Sequence, residues 1–327
     1  MIRGQAYIDD VDIADYGLAI NTESYANLLS FPALKTPYSN DWKDEDGLEV
    51  DLSNPTLQDK TVEIIFTQFV DGNELFFEKL KQTGYRSIFI PAFNRSWILR
   101  FVGENERKSY QNGKVFTLKF IDDFPRVAFV GVRKFLTIED GRFLTEENKR
   151  LLELFDFQTI SSGRKYIPKQ DFYIDNICLR DIGIGVIKSK DSILMNANLK
   201  EQLTRVFERE DGKTYDTGIV KSASKDASIE LLMIAETTVD LWKNYAYFFN
   251  KIISPEGRII KKESEFAGSF FYKNASDFKF GKDNQYAYLK FTLNITMTDM
   301  ELIAVRKFLT IKDGRFLTEE NNRFLEL

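Results

Sequence analysis

The chain of 327 residues contains no histidine and a single cysteine, Cys178. Without histidine the commonest general base and metal ligand near neutral pH is missing. Ser-His and Cys-His nucleophile pairs cannot be built. One cysteine excludes a disulfide within the chain. Cys178 stands in an apolar, strand-like run, which predicts a buried and inert thiol. No apolar run approaches the roughly 18 residues of a membrane-spanning helix, and the stretch from Met1 to Tyr16 lacks a signal-peptide core. Synthesis in the cytoplasm is expected.

Other signatures are missing as well. There is no Walker loop, and residues 183–188 carry only two glycines of a dinucleotide fingerprint, in a place that reads as an ordinary strand. An EF-hand loop fitted to Gly47 puts Trp42 and Ser53 at its first and last ligand positions, where oxygen donors of defined type are required, and the fit fails. The acids Asp44, Glu45 and Asp46 cluster at a turn, and Asp9, Asp10, Asp12 and Asp15 lie along a solvated strand and turn. The basic groups Lys261-Lys262 and Arg205 with Arg209 stand apart, without the aromatic interleaving of a base-stacking platform. A net charge of −5 argues against a protein that grips phosphate, though not against one past which nucleic acid slides. No enzyme, no cofactor and no metal site is expected.

What is present is ordinary globular composition with an excess of aromatics. Hydrophobic residues make up 43 % and charged residues 29 %. There are 29 phenylalanines, and aromatics reach 14 %, which favours strands. The length is a prior for two domains, each large enough for its own core.

The strongest internal signal is a repeat. The segments 132–154 and 305–327 differ at three positions: Glu139/Lys312, Lys149/Asn322 and Leu151/Phe324. Inside each copy, aromatic or leucine anchors recur every eight residues: Phe135, Phe143, Leu151 and Phe308, Phe316, Phe324. Strand-plus-turn units of this length suggest a small meander, with Asp140-Gly141 and Asp313-Gly314 as hairpin turns. The first two units read as strand. The third is open between strand and a helix capped by Thr145 or Thr318.

The halves preceding these segments also correspond. In the first, residues 7–20 alternate as one bent or two short strands, and 60–70 is a clear strand. A helix follows over 71–82 with Leu75, Phe76 and Leu80 on one face, ended by Gly84. Strands are predicted over 86–91, 96–102 and 114–121. The second half repeats this order: Tyr173 to Val186 matches Tyr7 to Ile20, residues 210–218 match 45–53 around an Asp-Gly turn, and a helix is predicted over 239–252. The expected organisation is a first β domain over 1–131, a repeat module and linker over 132–165, a second β domain over 166–304, and the C-terminal module over 305–327.

The opening Tyr7-Ile8-Asp9, Asp12 and Tyr16-Gly17, the Trp42…Asp46-Gly47 turn, the Glu-bearing strand and the single helix after it resemble the distal tail and tail-tube proteins of tailed phages. The resemblance covers the first ~120 residues well and the second half more loosely, since no Trp occupies the position of Trp42 there. It implies a mainly β fold, a β-sandwich or split barrel with one flanking helix per domain. It also implies a virion tail component assembled in the host cytoplasm, in which six such domains ring a channel for DNA and tape-measure protein. The expected partners are copies of the chain in a trimer or hexamer ring, other tail proteins, and DNA that passes without specific binding, with no membrane. The candidate assembly surface comprises Trp42, Asp46, Gly47, Phe135, Phe143, Phe308, Phe316 and Phe324, with the repeat modules either docking on partners or extending their own sheets. Trp42→Ala is expected to cost ~3–5 kcal/mol if the ring is buried. The alternative is a carbohydrate- or surface-binding β-sandwich with Tyr85, Phe93, Trp97 and Tyr110 as a sugar platform.

Overall fold

The computed structural model describes residues 4–21, 24–70, 74–111, 113–125, 133–135, 153–155, 161–170, 172–201, 204–209, 211–215, 218, 220–262, 266–299 and 301–302. The fold is mainly β, with two large antiparallel sheets and helices on them.

The first half contributes β1 (Tyr7–Ile8), β2 (Val11–Asp12), β3 (Leu18–Ile20), α1 (Tyr25–Leu29), β4 (Ser39–Asn40), β5 (Glu49–Val50), β6 (Lys60–Gln68), α2 (Glu74–Lys81), β7 (Arg86–Ile90), β8 (Arg95–Tyr110) and β9 (Gly113–Asp122). Seven of these strands form one sheet in the order β2-β1-β7-β8-β9-β6-β3. The long strand β8 serves both ends of it: Arg95 to Leu99 pair with β7, and Arg100 onward pair with β9. A bulge between Phe101 and Gly103 lies just past the handover, where the extra residue bends the strand. Strict alternation in β6, from Lys60 to Gln68, buries Val62, Ile64 and Phe66 on one face.

Next in the chain come β10 (Arg133–Phe135) and β11 (Glu153–Phe155), an antiparallel pair with Phe135 opposite Glu153. The partner of the first unit of the repeat module is therefore its third, which is strand. Phe143, Phe308, Phe316 and Phe324 lie outside the described residues, as do both predicted Asp-Gly turns.

The second half follows with β12 (Phe172–Ile174), β13 (Ile177–Cys178), β14 (Ile184–Lys188), α3 (Lys190–Leu194), β15 (Thr204–Arg205), β16 (Thr214–Tyr215), β17 (Lys225–Ala235), α4 (Thr238–Ile252), β18 (Arg258–Lys262), β19 (Phe266–Lys282), β20 (Ala287–Met297) and β21 (Glu301–Leu302). The strand order, β13-β12-β18-β19-β20-β17-β14 with β21 added against β19, repeats the first sheet element for element. The bulge recurs too, between Tyr272 and Asn274 of β19.

Local chemistry is duplicated with the topology. Asp9 accepts from Ser87 N at 2.8 Å and pairs with Arg86 at 3.0 Å. Asp175 accepts from Ile259 N and pairs with Arg258, each at 3.0 Å. Both aspartates hold positive φ, +48° and +53°, a strain that Asp tolerates better than bulkier residues. Lys60 reaches the carbonyls of Leu28 and Ser30 at the end of α1, and Lys225 reaches those of Ile193 and Met195 at the end of α3. Four aspartates near the first strand are thus partly structural, since Asp12 also accepts from Gly4 N and Ala14 N.

Some expectations need correction. The structure adds the short helices α1 and α3 to the one helix expected per domain. Leu75 of α2 is exposed, and the buried face is carried by Phe76 and Leu80. Residues 7–20 form three short strands around a one-turn 3-10 helix, Ile13–Tyr16. Cys178 is half-buried, with its thiol 3.9 Å from Gln170 O.

Candidate functional site: the junction between the two copies

The two sheets share one hydrophobic core, and the contact that joins them has a direction. A segment of the first copy, from Leu28 to Leu57, reaches out and lies on the second. It consists of the end of α1, an extended stretch, and the β4–β5 arm carrying the Asp46-Gly47 turn.

The base of this contact is aromatic. Phe31 stacks on Phe249 of α4 with ring centroids 4.1 Å apart and meets Tyr272 edge-on at 5.6 Å. The hydroxyl of Tyr272 donates to Pro32 O at 3.0 Å, and that of Tyr245 donates to Leu29 O at 2.9 Å. Burial raises the pKa of both phenols, so they remain donors at any ordinary pH. Trp242 donates its indole N–H to Phe93 O at 2.6 Å. These contacts explain why the buried face of α4 is wide, taking in Leu241, Trp242, Tyr245, Phe248, Phe249 and Ile252: it packs on its own sheet and on the first copy.

The rim is a backbone seam. Leu34 N donates to Lys273 O at 2.8 Å, Gly47 N to Ser222 O at 2.8 Å, Leu48 N to Thr298 O at 3.2 Å, and Glu256 N to Leu52 O at 3.0 Å. The bond to Lys273 O falls on the bulge of β19, where a carbonyl is released from the ladder.

The arm tip is fixed by charge. Asp46 accepts from Ser222 N at 2.7 Å and from Lys221 Nζ at 3.1 Å. Those two bonds hold its carboxyl below the usual carboxylate range. Lys200 is buried under the arm and donates to Trp42 O at 2.6 Å, with Asp41 at 2.7 Å. Gly47 has φ +72°, and a Cβ there would lie 1.6 Å from Thr298 O. Glycine is required on both counts, by the left-handed backbone and by the approach of the other copy.

Of the sequence-derived candidates, Asp46 and Gly47 therefore meet the second copy within the same chain. Trp42 offers its backbone carbonyl to that contact. Its ring is 50 % exposed and donates to Glu49 at 2.7 Å, so the condition for a core-sized Trp42→Ala cost is not met. Phe135 lies in β10, away from this group in sequence and sheet. Of the remaining members of the junction, Trp242, Tyr245, Phe249 and Tyr272 were legible in the sequence only as helix and strand positions, and Phe31 only as part of a loop-like stretch. The aromatics considered for a sugar platform divide between core and surface: Phe93 and Trp97 are buried, while Tyr85 and Tyr110 are exposed.

Beside the junction is a cavity of about 420 Å³ lined by Lys60, Arg95, Trp97, Asp122 and Trp242 among others. The Arg95 guanidinium lies 5.3–5.4 Å from the centroids of Trp97, Trp242 and Tyr245, a cage that satisfies a cation without a carboxylate. Burial, and then the nearby Arg95 charge, push the Lys60 ammonium down to about 7. Burial also raises Asp122. Among the described residues no group of three or more acidic or thiol side chains is arranged for a metal, and no helix is long and apolar enough to cross a membrane.

No family model matches the chain, and no curated protein matches it. Among solved structures it is similar to the Dit protein of phage SPP1, described as a hub adsorption apparatus protein of phages that infect Gram-positive hosts. The identity is 12 %, the TM-score 0.28, and the alignment covers 92 % of this chain and 100 % of that one.

Proposed function

We propose that this chain is a structural component of a phage tail, a distal tail, tube or baseplate hub protein that forms a ring around the DNA channel. The observation that carries the reading is the directional junction: one copy extends an arm, and the duplicated copy receives it on a different surface. A contact of this heterologous kind can be repeated from chain to chain and closes into a ring when its rotation allows. The tail-protein pattern at Tyr7–Gly17 and Trp42–Gly47 supports the same reading. In both motifs the residues do structural work: Asp9 and Asp12 brace turns, and Asp46 and Gly47 hold the arm. A net charge of −5 suits a channel wall to which DNA should not adhere. The ring holds three chains if both copies share one tier, and six if each copy forms its own. The repeat modules are proposed to dock on neighbouring tail proteins.

The test is the native mass of the purified protein over a wide concentration range, with negative-stain images of the same sample. Rings of three or six chains are expected. A strict monomer at every concentration, together with saturable binding of an oligosaccharide, would replace this reading with that of a carbohydrate-binding module. Deletion of Arg306 to Leu327 is expected to weaken association with tail partners while both sheets stay folded.

A further inference from the structure

The junction uses the arm of the first copy and the receiving face of the second. Among the described residues the opposite pair makes no such contact: the Leu199 face and hairpin of the second-copy arm, whose Lys200, Lys221 and Ser222 receive the first arm, and the receiving face of the first copy. Corresponding residues of the two arms are 165 apart in sequence, fixed by repeated contacts. Lys35 N→Thr56 O recurs as Lys200 N→Lys221 O, and the bridge Leu34↔Leu57 recurs as Leu199↔Ser222. Trp42 then corresponds to Phe207, Asp46 to Asp211 and Gly47 to Gly212, so an aromatic does hold the Trp42 position.

The two arms differ in burial as an occupied and an unoccupied version of one surface should. Leu34 is 8 % exposed, because it lies on the second copy, while Leu199 is 62 % exposed. Met195, Val206 and Val220 of the same arm are exposed as well. A Cβ at Gly47 collides with the receiving copy, whereas one at Gly212, with φ +88°, meets nothing within 4 Å.

The receiving faces differ in the same way. Helix ends and bulges align Phe77 with Phe249, Phe101 with Tyr272, and Val102 with Lys273, whose carbonyl accepts the bond from Leu34. In the first copy this place is an open groove of about 930 Å³ where Phe77, Phe101, Val102 and Gly103 are rimmed by charged side chains such as Glu78, Glu104 and Arg107. Val102 is 46 % exposed. Where Phe278 stacks on Phe291 in the second copy at 5.2 Å, Arg107 lies over Phe77 and Phe116 in the first, at 5.4 and 5.6 Å. A cation roofing an aromatic floor keeps that face soluble until it is covered. Helix α2 is two turns shorter than α4 and brings no counterpart of Trp242 or Tyr245 among the described residues. The repeated contact is therefore smaller and more polar than the one inside the chain.

We infer that the second-copy arm of one chain, led by Leu199 and the β15–β16 hairpin with Phe207 and Gly212, docks in the Phe77–Phe101–Val102 groove of the next chain. It does so in the arrangement seen inside each chain. The inference rests on the ring reading above and names its interface. Leu199 N would donate to Val102 O as Leu34 N does to Lys273 O, and Asp211 would accept from Leu57 N as Asp46 does from Ser222 N.

The test uses the full chain and two exposed substitutions, Leu199→Asp on the arm and Val102→Asp in the groove. Each variant alone should lose association by about 30-fold or more, the loss typical of an interface hot spot. Circular dichroism and melting temperature should stay near wild type. Because the contact is heterologous, an equimolar mixture of the two variants should give a two-chain complex that does not grow: one chain still has an arm and the other still has a groove. Gly212→Ala should also abolish association, by placing a methyl where the next chain's backbone passes. Should either aspartate variant misfold, Leu199→Ser and Val102→Ser take their place, with the same loss expected from each alone and the same two-chain complex from the mixture. Wild-type chains that never associate would overturn both this inference and the ring reading. Wild-type rings that persist in the Leu199→Asp and Val102→Asp variants, or mixtures that stay monomeric, would overturn this interface alone and leave the ring reading standing.

Discussion

Replacing Gly47 by alanine tests the junction most directly, because the protein carries its own control. At φ +72° an alanine costs about 1–2 kcal/mol on backbone grounds. Gly212, at φ +88° in the other copy, incurs the same backbone cost. The two positions differ in what the new methyl meets. At Gly47 it would lie 1.6 Å from Thr298 O and 2.8 Å from the carbonyl carbon, well inside van der Waals contact. The arm has to lift, and the bonds Gly47 N→Ser222 O and Leu48 N→Thr298 O go with it. At about 1 kcal/mol for each backbone bond, Gly47→Ala should destabilise the chain by roughly 2 kcal/mol more than Gly212→Ala. The Asp46 contacts lie in solvent and add little. Urea unfolding of dilute, monomeric protein followed by tryptophan fluorescence measures both variants, since Trp42, Trp97 and Trp242 sit in the arm, the first copy and the second. Equal losses at the two glycines would mean that the arm is not seated on Thr298, and the account of the junction would be wrong.

Other expectations follow from the same contacts. Trp242→Ala removes a buried ring and its bond to Phe93 O and should cost ~3–5 kcal/mol by urea unfolding, with the loss shared by both sheets if they unfold together. Trp42→Ala, at a half-exposed ring, should cost only about 1 kcal/mol, and a core-sized loss would contradict the placement of the arm. Lys60 is buried, with its pKa lowered to about 7. The unfolded chain holds this proton up to about 10.4, so the fold gains stability as pH rises above about 7 and loses it as pH falls through that value. Measured against Lys60→Met, wild type should gain about 2 kcal/mol between pH 6.5 and 9, and a pH-independent difference would show that the Leu28 and Ser30 carbonyls keep the ammonium charged. Asp175→Ala strands the Arg258 guanidinium, which is 8 % exposed, and should cost on the order of 2–3 kcal/mol, read as a drop in melting temperature that Asp175→Asn only partly restores.

The sequence by itself determined a great deal here, for physical reasons. Period-two alternation in Lys60–Gln68 and Ala287–Met297 can be satisfied only by strands with one face in a core. The Tyr-Ile-Asp openings recur because each Asp must brace a turn and meet an arginine, and such local chemistry survives duplication. The helix over 239–252 was legible because it takes the place, in the second half, of the helix over 71–82 in the first. What the sequence left undecided is which face of each element meets what. Leu34 and Leu199 occupy equivalent places in equivalent arms, and nothing local distinguishes them; only the packing of one copy on the other buries the first and exposes the second. Gly47 and Gly212 each read as a glycine in an Asp-Gly turn, yet only tertiary structure brings a foreign carbonyl to within a methyl's reach of one of them. The reason for the wide buried face of α4, a second layer arriving from the other copy, depends on contacts more than 200 residues apart, such as Tyr245 with Leu29. Periodicity reports how a segment sits on its own sheet, and the direction of the junction emerges only when two whole domains are laid together.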